Sequence, residues 1–240
     1  MQPQTATEFG YPRNRNFGRV AAHVATPEVP AHKQPQRGKL SGTLEMMGAA
    51  MEFPRNGEIY GEGEAADYVY KVMSGAVRIS KVLDDGRRQI SAFHLVGDVF
   101  GFEVGEEHHF SAEAVSASKI LVVKRSALIA LAIRQNEVAN ELWTLTARKL
   151  EQVQNLMITL GRKNAQERVA AFLIEMAGRA CDKHTIELPM SRQDIADYLG
   201  LTIETVSRTF TQLESEAAIE LPTSRRVVLR NRGALNRLNA

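Results

Sequence analysis

Met190–Leu213 reads MSRQDIADYLGLTIETVSRTFTQL, and the spacing within it decides the fold. Ser191 is followed three residues on by Asp194, the arrangement of a capping box, in which each side chain satisfies an amide left open at a helix start. Ile195, Ala196 and Leu199 make one apolar face of a short helix. Gly200 supplies a break, and Leu201 is placed to plug the corner before a second helix with Thr202 as its N-cap. The buried side of that helix is Val206, Phe210 and Leu213, spaced i, i+4, i+7. Ile203, Glu204, Ser207, Arg208 and Thr211 remain on the outer face. Two short capped helices joined by a Gly-containing turn are a helix-turn-helix, whose second helix offers its N-terminal residues to the DNA major groove.

The outer face has the chemistry for that task. Arg208 can donate a bidentate pair to guanine, Glu204 can accept from cytosine N4, and Ser207 can reach a base or a phosphate; Ile203 shares this base-reading face. The bland alternative is a solvent-exposed i,i+4 Glu–Arg pair, but a generic helix hairpin needs neither two caps nor a Gly at this spacing. Ala218–Leu221 and Val227–Leu229 can pair across Pro222–Arg226 as a hairpin, the wing of a winged helix. Ser191, Arg192, Thr202, Thr211 and the wing's Arg225 and Arg226 are the candidate phosphate contacts.

TIETVSRTFTQLE resembles the recognition helix of the CRP/FNR family of bacterial transcription regulators, whose pattern is E-x-x-S/G-R; Glu204, Ser207 and Arg208 fall on its base-reading positions. The resemblance extends, more weakly, over about Glu45 to Leu229, and the E-T-V-S-R string with a single cysteine is similar to the FixK-type subgroup. It implies a homodimer on a TTG-N8-CAA dyad, with Arg208 on the guanine and Glu204 on the cytosine. It also implies activation through contact with RNA polymerase, at genes of low-oxygen respiration or nitrogen fixation. That biological role rests on the resemblance and on no site derived from the residues.

The 240 residues allow one large or two modest domains, and 44% hydrophobic content is ample for cores. Residues 1–40 carry 6 basic against 2 acidic side chains, 41–161 carry 12 against 16, and 162–240 carry 12 against 10. The ends, and not the acidic middle, are therefore suited to DNA. No apolar run is long enough to span a membrane, and the N-terminus lacks a signal core, so a cytoplasmic protein is expected. One cysteine, Cys181, excludes an internal disulfide and a Cys-rich zinc or iron–sulfur site.

Four regions are expected: a flexible arm (1–40), a β-roll (41–135), a dimerisation helix (136–161) and a winged helix-turn-helix (162–240). The arm is rich in Gln, Pro, Asn and Arg and has no sustained period, which reads as mobile and mildly basic. From Met51, short alternating runs such as YVYKVM, AVRISKV and QISAFHLV are separated by glycines, the pattern of a small antiparallel barrel or roll. Ser74–Gly75 and Asp85–Gly86 read as hairpin turns, the latter between Val77–Leu83 and Arg88–Phe93. GEIYGEGE, VYKVMSGAVRIS and GDVFG resemble the cyclic-nucleotide-binding roll, or double-stranded β-helix, of the same family. The fold class expected is thus α+β. The family's phosphate-binding Arg-Ser or Arg-Thr pair is replaced here: GFEVGEEHHFSAEAV puts Phe110 before Ser111, with Glu103, Glu106 and Glu107 nearby. A buried phosphodiester would be left unpaired, so no cyclic nucleotide, and no cofactor of any kind, is expected.

His94, Glu103, His108 and His109 are the one cluster suggestive of a metalloenzyme. Adjacent histidines on an extended chain face opposite sides, and no H-x-H pair is present; a solvated acidic loop is the expected reading, without a metal. Ala139, Trp143, Thr146, Leu150, Val153, Met157 and Leu160 repeat at 4, 3, 4, 3, 4, 3, the seam of a coiled-coil contact between two copies. Leu142, Leu145 and Leu156 form a second stripe suited to the helix's own roll. Glu137 to Leu160 would span about 36 Å, with Gly161 as hinge. Ala165–Ala180 is a further amphipathic helix facing inward with Val169, Phe172, Leu173 and Met176. A connector, Ala180–Glu187, follows it, and Cys181 within that connector is structural or a redox-sensitive thiol. Asn231–Ala240 is a basic, weakly helical tail.

The expected partners are double-stranded DNA, a second copy and RNA polymerase, with no membrane. The rival readings are a regulator gated by a small effector in the roll, and a roll-bearing enzyme; against the enzyme, no nucleophile–base constellation occurs in the chain.

Overall fold

A computed structural model describes residues 39–180 and 182–239. The expected arm therefore lies almost wholly outside the described residues, and so does Cys181. Among the described residues no helix is long and apolar enough to cross a membrane.

The chain enters through helix α1 (Lys39–Met47) and runs into eight strands: β1 (Ala49–Phe53), β2 (Glu58–Tyr60), β3 (Tyr68–Ser74), β4 (Val77–Val82), β5 (Arg88–His94), β6 (Val99–Phe100), β7 (Ser111–Ala114) and β8 (Ser118–Lys124). They form two antiparallel four-stranded sheets, ordered β1-β8-β3-β6 and β2-β7-β4-β5. The Asp85–Gly86 hairpin forms as expected, with Val82 opposite Arg88. Ser74–Gly75 does not make a hairpin. Both edges of β3 are occupied, by β8 and β6, so the turn carries the chain across to the other sheet. Gly75 takes a positive φ of 84° there, and a Cβ would collide with the Ser118 side chain and the Ala117 carbonyl.

Helix α2 (Arg125–Arg134) then leads into α3 (Asn136–Arg162), which packs Leu142 and Leu145 against a cluster built from Leu40, Leu44, Leu121, Val123 and Val138. Helix α1, too short to show a clear period, contributes Leu40 and Leu44 to this cluster. Gly161 is not a hinge: α3 runs through it, and the chain turns at Lys163, in extended conformation. The turn is set by the next helix, α4 (Ala165–Arg179), whose N-cap Asn164 forms a reciprocal capping box with Glu167.

Beyond α4 come β9 (Thr185–Glu187), α5 (Arg192–Leu199), α6 (Ile203–Ser215), β10 (Ile219–Glu220), β11 (Arg226–Leu229) and α7 (Arg232–Asn239). The expected wing hairpin is present, with Ile219 opposite Leu229. The expected connector contributes a third strand, because β9 pairs with the free edge of β11. The C-terminal segment is more than a weak tail: α7 buries Leu235, and Lys163 Nζ donates to Asn239 Oδ1 at 2.8 Å.

Val169, Phe172, Leu173 and Met176 of α4 are buried with Ile195, Leu199, Val206, Phe210 and Leu213. The same cluster takes in Ala76, Ile90, Phe93 and Val115 of the roll, so one apolar core runs from the roll into the helix-turn-helix.

Candidate nucleic-acid interface

Helix α5 starts as its sequence dictates. Ser191 Oγ accepts from the Asp194 amide at 3.1 Å, and Asp194 Oδ2 accepts in return from the Ser191 amide at 3.0 Å. Gly200 ends the helix in the left-handed conformation, φ 61° and ψ 40°, where a side chain is disfavoured. Thr202 caps α6 by accepting from the Thr205 amide at 3.2 Å. Half-buried Leu201 packs into the core at the corner.

The outward side of α6 carries Ile203, Glu204, Ser207, Arg208 and Thr211, all exposed, while Val206, Phe210 and Leu213 are fully enclosed. Glu204 is held below the usual carboxylate range by hydrogen bonds from its own amide and the Thr202 hydroxyl, with the Arg208 charge helping, so it is an anionic acceptor at neutral pH. Ser207 Oγ donates to the Ile203 carbonyl at 2.8 Å, which leaves its lone pairs facing outward. Thr211 Oγ1 donates to the Ser207 carbonyl at 3.2 Å.

The candidate phosphate contacts divide. Thr202, Arg225 and Arg226 are exposed, with Arg226 Nε 3.7 Å from Glu187 Oε1. Ser191 uses its hydroxyl in the capping box, also donating to Asp194 Oδ2 at 2.7 Å. Arg192 is engaged elsewhere: its guanidinium stacks on the Phe210 ring, 3.4 Å from the centroid, and burial lowers its pKa to about 10. It braces α5 against α6.

Two residues that position this surface carry no signal in the sequence. Arg168 of α4 donates to the carbonyls of Leu160, Lys163 and Leu199 at 2.8 Å each, joining the ends of α3 and α5. It satisfies carbonyls that helix ends leave open. Arg179 donates to the Phe93 carbonyl at 2.9 Å and pairs with Asp98, linking α4 to the roll.

Inside the roll, the expectation of a solvated loop fails for two histidines. His108 is buried and stacks on Tyr60 at 3.6 Å, and His94 is buried and stacks on Phe100 at 4.9 Å. Tyr70 joins Tyr60 to Phe100, at 5.1 and 5.2 Å, to complete a column of rings. Each imidazole sits edge-on to a carboxylate: His108 Nδ1 is 3.4 Å from Glu103, and His94 Nδ1 is 3.7 Å from Asp98. His109, next to buried His108, is exposed.

On α3, the outer stripe stays open to solvent, with Trp143 76%, Leu150 59%, Val153 60% and Met157 67% exposed. Thr146 is exposed, and Ala139 and Leu160 are half-buried at the seam's two ends. The inner stripe is covered as expected, Leu142 and Leu145 by the roll side and Leu156 by the core shared with α4.

A β-roll joined by one long helix to a capped winged helix-turn-helix defines a class of DNA-binding transcription regulators. Residues 167–238 match the Crp-like helix-turn-helix domain, and residues 50–135 match the cyclic nucleotide-binding domain. The nitrogen fixation regulation protein FixK of Azorhizobium caulinodans is 46% identical across 100% of this chain and 96% of its own length. The transcriptional activatory protein AadR of Rhodopseudomonas palustris is 41% identical over 67% of this chain and 69% of its length. Among solved structures, FixK2 from Bradyrhizobium japonicum superimposes with a TM-score of 0.78 at 49% identity, covering 81% of this chain and 98% of that one. The chain belongs to the CRP/FNR family and is a transcription regulator of the FixK type. These relatives are transcription regulators.

Proposed function

We propose that the protein is a transcription activator that binds TTG-N8-CAA dyads as a homodimer and contacts RNA polymerase at genes of low-oxygen respiration or nitrogen fixation. It acts in the cytoplasm, on double-stranded DNA. The observation that carries this reading is the capped helix α6, which holds Glu204, Ser207 and Arg208 outward at one helix start. Arg208 reads the guanine and Glu204 the cytosine of each half-site, with Ile203 and Ser207 alongside. Thr202, Thr211, Arg225 and Arg226 meet phosphates. The second copy packs along Ala139, Trp143, Thr146, Leu150, Val153, Met157 and Leu160. Four large apolar side chains open to water in one stripe support that assignment.

The regulator works without cyclic nucleotide or iron–sulfur cluster. Supporting this, the rings of Tyr60, His108, Tyr70, Phe100 and His94 stack on one another inside the roll. The buried arginine of the roll, Arg78, is bound to Glu113 at 2.8 Å and to Asp194. Phe110 offers a phosphate nothing. One observation favours a small-effector reading: a cleft of about 170 Å³ at the roll mouth is lined by Glu103, Lys149, Glu175 and Arg179. Burial lowers the Lys149 pKa to about 8 there, and a small anion would relieve that cost.

Fluorescence anisotropy of the purified protein, aerobic and without effector, on a TTG-N8-CAA duplex and a scrambled one tests the proposal at fixed salt. Tight, selective binding by a dimer is expected. Weak binding to both duplexes that becomes selective on adding a small anion would replace it with the effector-gated reading.

A further inference from the structure

The DNA-binding unit touches the roll at an ionic cluster centred on buried Arg78 and Asp194, with Arg88, Asp197 and Glu113 partly exposed around them. Arg88 of β5 donates Nε to Asp197 Oδ2 at 2.7 Å and Nη2 to Asp194 Oδ1 at 2.8 Å. Arg78 of β4 donates Nη1 to the same Asp194 Oδ1 at 3.2 Å and Nε to Glu113 Oε2 at 2.8 Å. Alongside, Gln89 Nε2 donates to the Tyr198 carbonyl at 3.3 Å. Asp194 is buried, and its other oxygen makes the capping box that starts α5. One carboxylate therefore joins the roll hairpin to the first helix of the helix-turn-helix.

We infer that Arg78 and Arg88 are positioning residues for DNA recognition: through Asp194 and Asp197 they set the orientation of the recognition helix relative to the dimer axis, and so the half-site spacing that the dimer accepts. This rests on the dyad-binding reading and deepens it. The roll is fixed to α3, which carries the proposed dimer seam, through the α1–α3 cluster. The winged unit is held to α3 covalently at Lys163–Asn164 and by the Arg168 bracket, both at one end of α4. Arg179 ties the far end of α4 to the roll through the Phe93 carbonyl and Asp98, but neither tie reaches α5 itself. The ionic cluster supplies an attachment directly on α5, and α6 follows α5 through a single turn at Gly200.

Adhesion alone does not call for ions here. Ile90 and Phe93 of the same strand already enter the winged unit's core, and Phe93 packs on Phe172 and Tyr198 at 6.4 and 5.2 Å between ring centres. Apolar packing tolerates sliding, and a buried ion pair adds little net stability over it, whereas a shared carboxylate with two guanidinium partners holds one geometry. The cluster fixes register where the apolar contact supplies cohesion.

The test compares full-length wild type with R88Q/D197N, which removes both partners of one pair and leaves Asp194 with Arg78 and its cap, and with R88K, which keeps a charge. Anisotropy is measured on TTG-N7-CAA, TTG-N8-CAA, TTG-N9-CAA and scrambled duplexes, with thermal melting in parallel. One base pair of spacing moves a half-site by about 3.4 Å and about a tenth of a turn. Wild type is expected to prefer N8 by about tenfold or more, R88Q/D197N by only about twofold, and R88K to stay near wild type. Scrambled-DNA affinity of R88Q/D197N should match wild type, and its melting should fall only slightly, because Asp194 keeps Arg78 and its cap. An unchanged N8 preference in R88Q/D197N overturns the inference, as does a uniform fall on all four duplexes with lowered melting, which would mark a purely structural role. A wild type that fails to distinguish N8 from scrambled DNA sinks the dyad reading and this one together.

Discussion

Arg208 and Arg168 illustrate two uses of arginine. Arg208 is exposed beside Glu204 on α6, so its removal should leave the fold intact. Arg208→Ala is expected to cost about 1–3 kcal/mol on the dyad and almost nothing on scrambled DNA. Equal losses on both duplexes in anisotropy would mean that it meets only phosphate. Arg168→Ala should do the reverse, since three carbonyls at two helix ends lose a charged donor. Urea unfolding should show a loss of about 2 kcal/mol or more; an unchanged midpoint would show that solvent replaces the bracket. Arg208 was legible in the sequence because it falls on the outer face of a short periodic segment. Arg168 was not, because its acceptors are backbone atoms, which every residue has.

Helix α3 is the element on which the assembly depends. Its two stripes were legible from a 4-3 repeat and a second apolar row, and the inner one is covered by the roll and α4. Leu150→Glu should break the proposed dimer, because a charge placed in an apolar seam is desolvated without a partner. Sedimentation equilibrium should then report a monomer with unchanged far-UV circular dichroism, and a surviving dimer would move the interface elsewhere. The cap of α5 is a second test at this scale. Ser191→Ala should destabilise by about 0.5–2 kcal/mol in urea unfolding, and a neutral result would show that Asp194 holds the helix start alone. Elements α1 and β9 were missed for different reasons. The nine residues of α1 are too few to show a clear period, and the three of β9 become a strand only because β11 offers an edge.

Across the whole molecule, the roll and the winged unit share a core, so a charge appearing in either is felt by both. His94 lies where they meet, buried, with Asp98 on one side and Lys149 and Arg179 nearby. Desolvation outweighs the Asp98 hydrogen bond and lowers its pKa from 6.5 to about 4. Above pH 6.5 both folded and unfolded chains hold a neutral imidazole. As pH falls from 6.5 toward 4 only the unfolded chain takes the proton, so stability declines across that window and the contribution is exhausted below it. Asp194, held low by Ser191 and by Arg78 and Arg88 against its desolvation, contributes stability above its unfolded pKa and loses it only as pH falls further, through the folded value. Melting temperature should therefore drop between pH 6.5 and 4 in wild type and less steeply in His94→Gln. Parallel profiles would remove His94 as the cause.

The amino-acid sequence by itself determined the helix-turn-helix, its caps and turn, the wing, the Asp85–Gly86 hairpin and the two stripes of α3. Each of these rests on residues within a few positions of one another, so composition and period expose it. Only the tertiary structure decided that His94 and His108 join a column of rings, that Arg192 stacks on Phe210, and that Ser74–Gly75 crosses between sheets. Only there, too, does Asp194 meet Arg78 and Arg88, more than a hundred residues away. A charge in a sequence shows neither its partner nor its burial, because both are set by what the rest of the chain packs against it.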